Sequence, residues 1–254
     1  MCRLLTVLFM LFCLCFTAQN TAVGNNETLV YTASYNMSGV LNDIAQVTLQ
    51  TSNVNTSKAT LLHLKCKAVT YSKWDNFFKI RDLYESYVNP KSLIPYLYKR
   101  DIFEGGYAKT EKYTFNHKTN TVNTVLTKKG KSETKTVSIT ANTKDMVATL
   151  YNLRLMDFEH MTVGSQKTFT VLFDRQAYKA RITYLGKETL KTALGQKNCY
   201  KISLSSSDSK ALKGQSGNLI WLTADTNKIM VYGKFKIPVG SGELKITSAS
   251  GLKQ

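Results

Sequence analysis

Histidine, proline and acidic side chains are scarce in this 254-residue chain. It contains three histidines, three prolines and 17 acidic residues, against 34 basic ones. The histidines, His63, His117 and His160, lie in separate segments and show no HExxH spacing, so they lack the paired-ligand pattern of a zinc site. We therefore predict no metal site and no cofactor.

Long hydrophobic runs are also missing, except at the start of the chain. One cation, Arg3, precedes an apolar run over residues 4–16 that only Thr6 interrupts. This run is shorter than the ~20 apolar residues that a membrane-spanning helix needs, but it is typical of a secretory signal peptide. We predict a signal peptide over residues 1–18, no transmembrane segment after it, and a single exported β domain over residues 19–254, in the periplasm or associated with the outer membrane.

Cysteines are too few for a disulfide framework. Three of the five lie in the predicted signal peptide, where Cys13 or Cys15 would carry the lipid if the protein were an anchored lipoprotein. Cys66 and Cys199 remain, each inside an alternating strand pattern. A bridge between them would need their Cα atoms within about 7 Å, so two buried thiols are favoured over a disulfide. No CxxC motif indicates redox chemistry.

The formal net charge of +17 comes mostly from single lysines at the polar positions of alternating segments. Lysine on the solvent-facing side of strands protects β-sheets from edge-to-edge pairing. No arginine-rich stripe or paired-aromatic signature accompanies the charge, so we predict no nucleic-acid partner. Two interpretations stay open: a solvated β surface, or attraction to anionic lipid, lipopolysaccharide or acidic glycan.

What the chain has in abundance is period-two alternation, which predicts strands along nearly its whole length. In residues 60–71, for example, Leu62 and Leu64 fall on one face and His63 and Lys65 on the other. The pattern predicts a mainly β fold: a large, strongly curved antiparallel sheet or incomplete β-barrel of about fourteen strands with two short helices packed on it. The segment 205–217 is the most loop-like.

The two predicted helices interrupt this alternation. The first follows Ser72 as its N-cap and would place Trp74, Phe77 and Phe78 over one end of the sheet. The second spans Lys144–Leu155, and its predicted apolar stripe consists of Met146, Leu150, Leu153 and Met156.

A search for catalytic residues finds no complete set. The acids Glu104, Glu111, Asp174 and Glu188 are scattered and cannot be paired from the sequence. Cys199 with His160 is a conceivable nucleophilic pair, but a buried strand cysteine is the simpler interpretation. The serine in GQSGN, residues 214–218, misses the GxSxG pattern. We predict no catalytic, cofactor-binding or metal-binding residues, and the ligand-binding residues are unknown.

Several segments together resemble a known family: FKIRDLYESYVNPKSLIPYLYKRDIFEGGY, YNLRL, TVLFDRQAYKARITYLGKETLKTALGQKNCYKISL and WLTADTNKIMVYGKFKIPVGSGELKI. They are similar to the exported bacterial family called domain of unknown function 3108, in its Bacteroidetes form. The resemblance covers nearly all of the chain after the signal peptide, and the family brings no catalytic residues with it. The positions matching its recurrent residues are Asp82, Pro95, Arg154, Asp174, Trp221 and Asp225.

Physical roles can be expected for three of these positions. Pro95 suits a strand start or bulge, and Trp221 suits a core or pocket wall. Arg154 is expected to pair with a carboxylate such as Asp82 across the sheet. LNDIAQVTL departs from the family pattern at Gln46, where a glycine is expected.

Three functions are compatible with such a sequence. The leading hypothesis is a carrier that binds a lipid or other apolar envelope ligand in the concave face of the sheet, by fold-level analogy with the Lol-type lipoprotein carriers. The alternative is a structural or assembly factor that binds anionic envelope components through its basic surface. The third is a hydrolase. The carrier hypothesis requires that the helices leave the concave face unfilled.

Overall fold

The structure, a computed structural model, describes residues 19–37, 39–206, 218–236 and 240–253. The predicted signal peptide and nearly all of the segment 205–217 lie outside the described residues, and so does the serine of GQSGN.

Fifteen strands in the described residues form one sheet. Their bounds are β1 (Thr28–Met37), β2 (Val40–Asn55), β3 (Thr60–Thr70), β4 (Arg81–Val88), β5 (Pro95–Glu104), β6 (Tyr107–Asn116), β7 (Thr121–Lys128), β8 (Lys131–Ser138), β9 (Lys144–Asp145), β10 (Gln166–Phe173), β11 (Gln176–Thr192), β12 (Gly195–Ser206), β13 (Leu219–Thr223), β14 (Met230–Lys236) and β15 (Ser241–Ser250). The mainly β prediction is confirmed.

The sheet is a meander whose first and last long strands pair with each other. Its order runs from β8 down to β1, crosses to β15, and continues down to β9. All neighbours are antiparallel except the two-residue β9, which is parallel to β10. Within the described residues no backbone pairing joins β8 to β9, so the barrel is incomplete, as predicted.

One long strand replaces two that the sequence predicted separately. Alternation breaks at Leu185-Gly186, so the sequence suggests one strand ending there and another beginning at Thr189. The structure instead continues β11 through a bulge, with a register shift between Tyr184 and Gly186 against β12. Gly186 has φ +107°, a conformation that glycine adopts without strain.

The first helix, α1 (Asp75–Phe78), follows a 3₁₀ turn at Ser72–Trp74. The residues at the N-cap positions of the 3₁₀ turn and of α1 are Tyr71 and Trp74, so the prediction of Ser72 as the N-cap is wrong. The predicted cover over the sheet end is only partly correct. Phe77 is 81% exposed, but the Phe78 ring packs on Gly105 of the β5–β6 turn and Trp74 is half-buried. Neighbouring residues of a helix point in different directions, so the two phenylalanine rings do not reach the sheet together.

The second helix, α2 (Met146–Asn152), continues as a 3₁₀ turn at Leu153–Leu155. Asp145 caps it by accepting a hydrogen bond from the Ala148 N–H at 2.8 Å. The predicted apolar stripe is only partly correct. Leu153 is buried and Leu150 and Met156 pack partly buried against the core, but Met146 is exposed. The buried side chains of the helix itself are Val147, Ala148 and Tyr151. No helix in the described part of the chain is long and apolar enough to cross a membrane.

The curvature of the sheet is evident from what α2 touches. This helix contacts β3 and β4, and also β9 and β10 at the other end of the strand order. The sheet therefore curls around α2, and the inward side chains of both halves meet it. Large buried residues of this core include Tyr31, Tyr98, Tyr151, Phe158 and Ile202.

Candidate functional site

The concave face of the sheet is filled by its own side chains and by α2. Between Leu49, Leu150 and Leu222, the interior leaves a cavity of about 10 Å³. Such a volume holds at most about one water molecule, whereas pockets for drug-sized ligands measure about 300–1,000 Å³. The space that the carrier hypothesis requires is therefore absent at this position in the described structure.

A buried ion pair at this cavity holds α2 in place. Arg154 donates from Nη1 to Glu27 Oε1 at 2.5 Å and from Nη2 to Glu27 Oε2 at 2.7 Å. The guanidinium also donates to the backbone carbonyls of Asn227 and Ala22, at 2.8 and 2.9 Å. The expected pairing of Arg154 with Asp82 is wrong. Arg154 instead connects α2 to the N-terminal segment and the β13–β14 turn.

A charged cluster interrupts the otherwise largely apolar inner face of β5 and β6, where four charged side chains meet. Arg100 donates to Glu111 at 2.8 Å and also to Asp174. Lys109 lies 3.0 Å from Glu111 and 2.8 Å from Asp174. We call Arg100, Lys109, Glu111 and Asp174 the clasp. The structure thus brings together Glu111 and Asp174, two of the four acids that could not be paired from the sequence.

The clasp connects regions of the sheet that no backbone hydrogen bond joins in the described part of the chain. Asp174 and Arg175 form the β10–β11 turn, with φ +45° and +60°. The Arg175 N–H donates to Tyr113 Oη at 3.0 Å, and its guanidinium donates to Glu133 of β8 at 3.1 Å. This turn therefore reaches across to β6 and β8 and closes the barrel through side chains.

The opposite charges in the clasp favour the charged forms of Arg100 and Asp174. Burial acts to lower the pKa of Arg100, but the charges of Glu111 and Asp174 outweigh it, so the pKa of this guanidinium is raised. Burial acts to raise the pKa of Asp174, but the hydrogen bonds from Lys109 and Arg100 hold that pKa below its usual value. Because both acids are engaged by cations, the clasp is a structural network rather than a general acid–base pair.

Asp82, on the inner face of β4, lies beside a second acid, Glu104 of β5. Its Oδ1 accepts from the Phe103 N–H and its Oδ2 from the Tyr84 hydroxyl, each at 3.1 Å. Burial, together with the smaller effect of the neighbouring charge of Glu104, raises the pKa of Asp82 to about 6.

Replacing Asp82 with asparagine is expected to remove part of the pH dependence of stability. Because the folded-state pKa is raised, the stability from the protonated carboxyl is fully present below its ordinary value of 3.8 and is lost as the pH rises through about 6. Urea unfolding across this window should show a smaller loss of unfolding free energy for D82N than for the wild type. D101N, which changes an exposed aspartate on the outer face of β5, is the control. Parallel profiles for D82N and the wild type would contradict the assignment.

The two cysteines are free thiols. Burial raises the pKa of Cys66 to about 12 and that of Cys199 to about 11, which suppresses the reactive thiolate. His160 lies on an exposed turn and bonds to Asp157 at 2.7 Å, whereas Cys199 donates to the Lys197 carbonyl. The described residues therefore contain no Cys199–His160 pair.

The three remaining positions that match the family, Pro95, Trp221 and Asp225, each have a structural role. Pro95 begins β5, at a bulge opposite Val88, as expected. Trp221 is buried, packs at a tilt against Tyr232 with ring centroids 4.8 Å apart, and donates to Glu188 at 2.5 Å. Asp225 accepts backbone hydrogen bonds from Asn227 and Lys228 and so shapes the β13–β14 turn.

The other two histidines also form contacts within the protein. His117 bonds through Nε2 to the Pro95 carbonyl at 2.6 Å, and His63 lies 3.0 Å from Glu85. Among the described residues, no group of three or more His, Cys, Asp or Glu side chains could hold a metal ion.

A set of exposed apolar side chains lies around α1, and the sequence did not reveal it. We call it the aromatic end: Val40, Leu41, Phe77, Phe78 and Tyr107. Val40 is 62% exposed, and all five are exposed despite their size. Alternation assigns faces within strands, but it does not show which turns lie side by side, so this grouping has no signal in the sequence.

Contacts between neighbouring segments show that the aromatic end is continuous. The Phe78 ring packs on Gly105 of the β5–β6 turn so closely that a Cβ there would lie 2.6 Å from the ring. The Trp74 indole donates at 2.7 Å to the carbonyl of Asp43, two residues after Leu41 in β2. The Lys128 ammonium, at the end of β7, lies 4.3 Å from the centroid of the Tyr107 ring. The first residues of β2, α1 with its 3₁₀ turn, the β5–β6 turn and the end of β7 are therefore neighbours on one surface.

Exposed lysines surround this surface. They are Lys73, Lys79, Lys128, Lys129 and Lys131. None forms an ion pair within the described structure, whereas two acids of the same region are engaged: Asp75 by Arg81, and Asp43 by the Ser34 hydroxyl. The aromatic end is therefore an apolar surface with a positively charged border.

Comparison with known proteins supports the fold. A family model described as "Protein of unknown function (DUF3108)" matches residues 30–247. The crystal structure of a β-barrel-like protein of domain of unknown function DUF1849 from Brucella abortus is similar at 9% identity and a TM-score of 0.59, covering 90% of this chain and 99% of that one.

A second crystal structure, of a candidate exported protein with a YmcC-like fold from Bacteroides fragilis NCTC 9343, gives 7% identity and a TM-score of 0.30, covering 90% and 97%. That score is too low to support an argument. No curated protein matches the sequence significantly.

Proposed function

The chain belongs to the DUF3108 family of proteins of unknown function, and from this premise we propose that it is an exported envelope protein that docks on anionic lipid surfaces through its aromatic end. Family membership supplies no reaction, so the proposal rests on the structure of the surface. It develops the hypothesis of a structural or assembly factor that binds anionic envelope components.

The observation that carries the proposal is the combination of exposed aromatic rings and unpaired lysines on one surface. Phe77 and Phe78 expose large apolar areas to water, which is unfavourable unless a partner covers them. Aromatic side chains insert at the boundary between headgroups and acyl chains, and each lysine near an anionic surface adds about 1 kcal/mol of attraction. An anionic membrane complements both properties.

Export would bring this surface to a suitable partner. The predicted signal peptide over residues 1–18 directs the chain to the envelope, and there the periplasm or the outer membrane is its proposed location. A lipid or other apolar ligand held in the concave face is less well supported, because the interior packs around α2 and its inner face at β5 and β6 is charged.

The test is cosedimentation of the chain from residue 19 with vesicles of phosphatidylcholine, with and without phosphatidylglycerol. We expect binding only to the phosphatidylglycerol vesicles, weakening as salt rises. F77S should weaken binding roughly tenfold, because a partly inserted Phe contributes about 1–2 kcal/mol. Y96S is the matched control, since Tyr96 is 42% exposed and lies at the opposite end of β5 from Gly105. Equal binding of wild type and F77S, or binding insensitive to lipid charge, would refute the proposal.

A further inference from the structure

The outer face of β2 and β3 carries an open groove that the aromatic end does not include. It has a volume of about 400 Å³ and is lined chiefly by Gln46, Thr48, Gln50, Lys67, Val69 and Tyr71. This volume falls within the ~300–1,000 Å³ typical of small-ligand sites.

Strand register explains why these side chains share one face. Gln46, Thr48 and Gln50 alternate along β2 with the inward-facing Leu49. Thr48 is paired with Lys67, and Gln46 is paired with Val69 of β3. Because successive strand residues point to opposite faces, all five project outward together. Tyr71 follows β3 and stands at the end of the groove, with its hydroxyl 3.4 Å from Thr32 Oγ1.

The groove presents hydrogen-bonding groups that the protein leaves unused. Gln46 makes a long bond of 3.4 Å to Thr48. Gln50 and Lys67 have exposed side chains and form no side-chain hydrogen bond or ion pair within the described residues. Amides and hydroxyls of this kind both donate and accept hydrogen bonds, as a ligand rich in hydroxyl groups requires.

The lining residues also indicate the charge and shape of the ligand. Lys67 is the one charged side chain among the lining residues, so it favours a single negative group on the ligand. Val69 and the Tyr71 ring offer small apolar surfaces, which match the C–H faces of a sugar ring. A nucleic-acid strand would call for a positively charged channel with several stacking rings, which these residues do not provide. An acyl chain would leave the amides and hydroxyls unpaired.

We propose that this groove binds a carbohydrate chain that carries carboxylate groups, with Lys67 on a carboxylate and Gln46, Thr48 and Gln50 on the sugar hydroxyls. The groove and the aromatic end have no residue in common. The proposal therefore goes beyond docking on lipid and does not depend on it.

Isothermal titration calorimetry without lipid tests the proposal, with short oligosaccharides of galacturonate, mannuronate and hyaluronate as probes. We expect at least one to bind, and K67Q and Q50A each to weaken that binding roughly tenfold, because each removes a direct polar contact. Both side chains are exposed, so the melting temperature should stay unchanged. F77S should bind the oligosaccharide as the wild type does, which separates this site from the aromatic end.

Two controls distinguish a specific binding site from non-specific attraction between charges. K99Q removes the same charge from the outer face of β5, and it should bind like the wild type. Polyacrylate, an anionic polymer without sugar, should not compete. Failure of all three oligosaccharides to bind, equal weakening by K99Q and K67Q, or competition by polyacrylate would each overturn the proposal.

Discussion

Replacing Arg154 with alanine is expected to lower the free energy of unfolding by about 3–5 kcal/mol, because it leaves the Glu27 carboxylate buried without its partner. The two side chains are only 4% and 0% exposed, so water cannot take over the role of the guanidinium. The substitution also removes the donors to the Asn227 and Ala22 carbonyls, which connect α2 to two distant segments.

Urea unfolding of the chain from residue 19 measures this effect. K245A is the control, because Lys245 is 52% exposed in its ion pair with Glu243 and should change the free energy by less than about 1 kcal/mol. If R154A does not fold, R154K still provides a test. Lysine keeps the charge but cannot make the bidentate hydrogen bonds to Glu27, so R154K should also be destabilised. Stability of R154A or R154K equal to that of K245A would contradict the assigned role.

Replacing Arg100 with alanine is expected to lower the free energy of unfolding by less than R154A does, because the buried Glu111 loses Arg100 but keeps its ion pair with Lys109 at 3.0 Å. This substitution should have a second, local effect. Arg100 connects β5 to Asp174 in the β10–β11 turn, so its loss frees the turn that closes the barrel. Amide hydrogens of residues 173–176 should exchange faster in R100A than in the wild type.

The matched control for R100A is D174N. Asp174 is 47% exposed, so its carboxylate is partly solvated and its loss leaves Arg100 bonded to Glu111. We expect a smaller loss of stability for D174N, with faster exchange confined to the turn. If R100A leaves exchange of the turn unchanged, the clasp does not hold the barrel closed.

Much of the strand architecture could be predicted from local residue patterns. Alternation assigned Leu62 and Leu64 to the core and His63 and Lys65 to the outer face, and β3 shows this arrangement. The Gly105-Gly106 dipeptide predicts a tight turn between two strands, and the structure contains it, with φ of +55° and +89°. These features depend on side-chain periodicity and on glycine conformation, which neighbouring residues determine.

The candidate sites could not be predicted in the same way. The groove depends on β2 and β3 lying in one register, and the aromatic end depends on α1 packing beside β2 and the β5–β6 turn. The clasp brings Arg100 and Asp174 together across 74 positions of sequence. A charged residue in an alternating segment looks the same whether it faces solvent or a buried partner.

The family, the mainly β character, the alternation of faces and the positions of the tight turns follow from local sequence. The pairing of Arg154 with Glu27, 127 residues away, does not, and neither does the burial of Val147, Ala148 and Tyr151 instead of Met146 in α2. The physical reason is the range of the interactions. Periodicity and turn chemistry act between residues close in the chain, whereas a buried ion pair and a packed helix depend on which distant strands the closing sheet brings together.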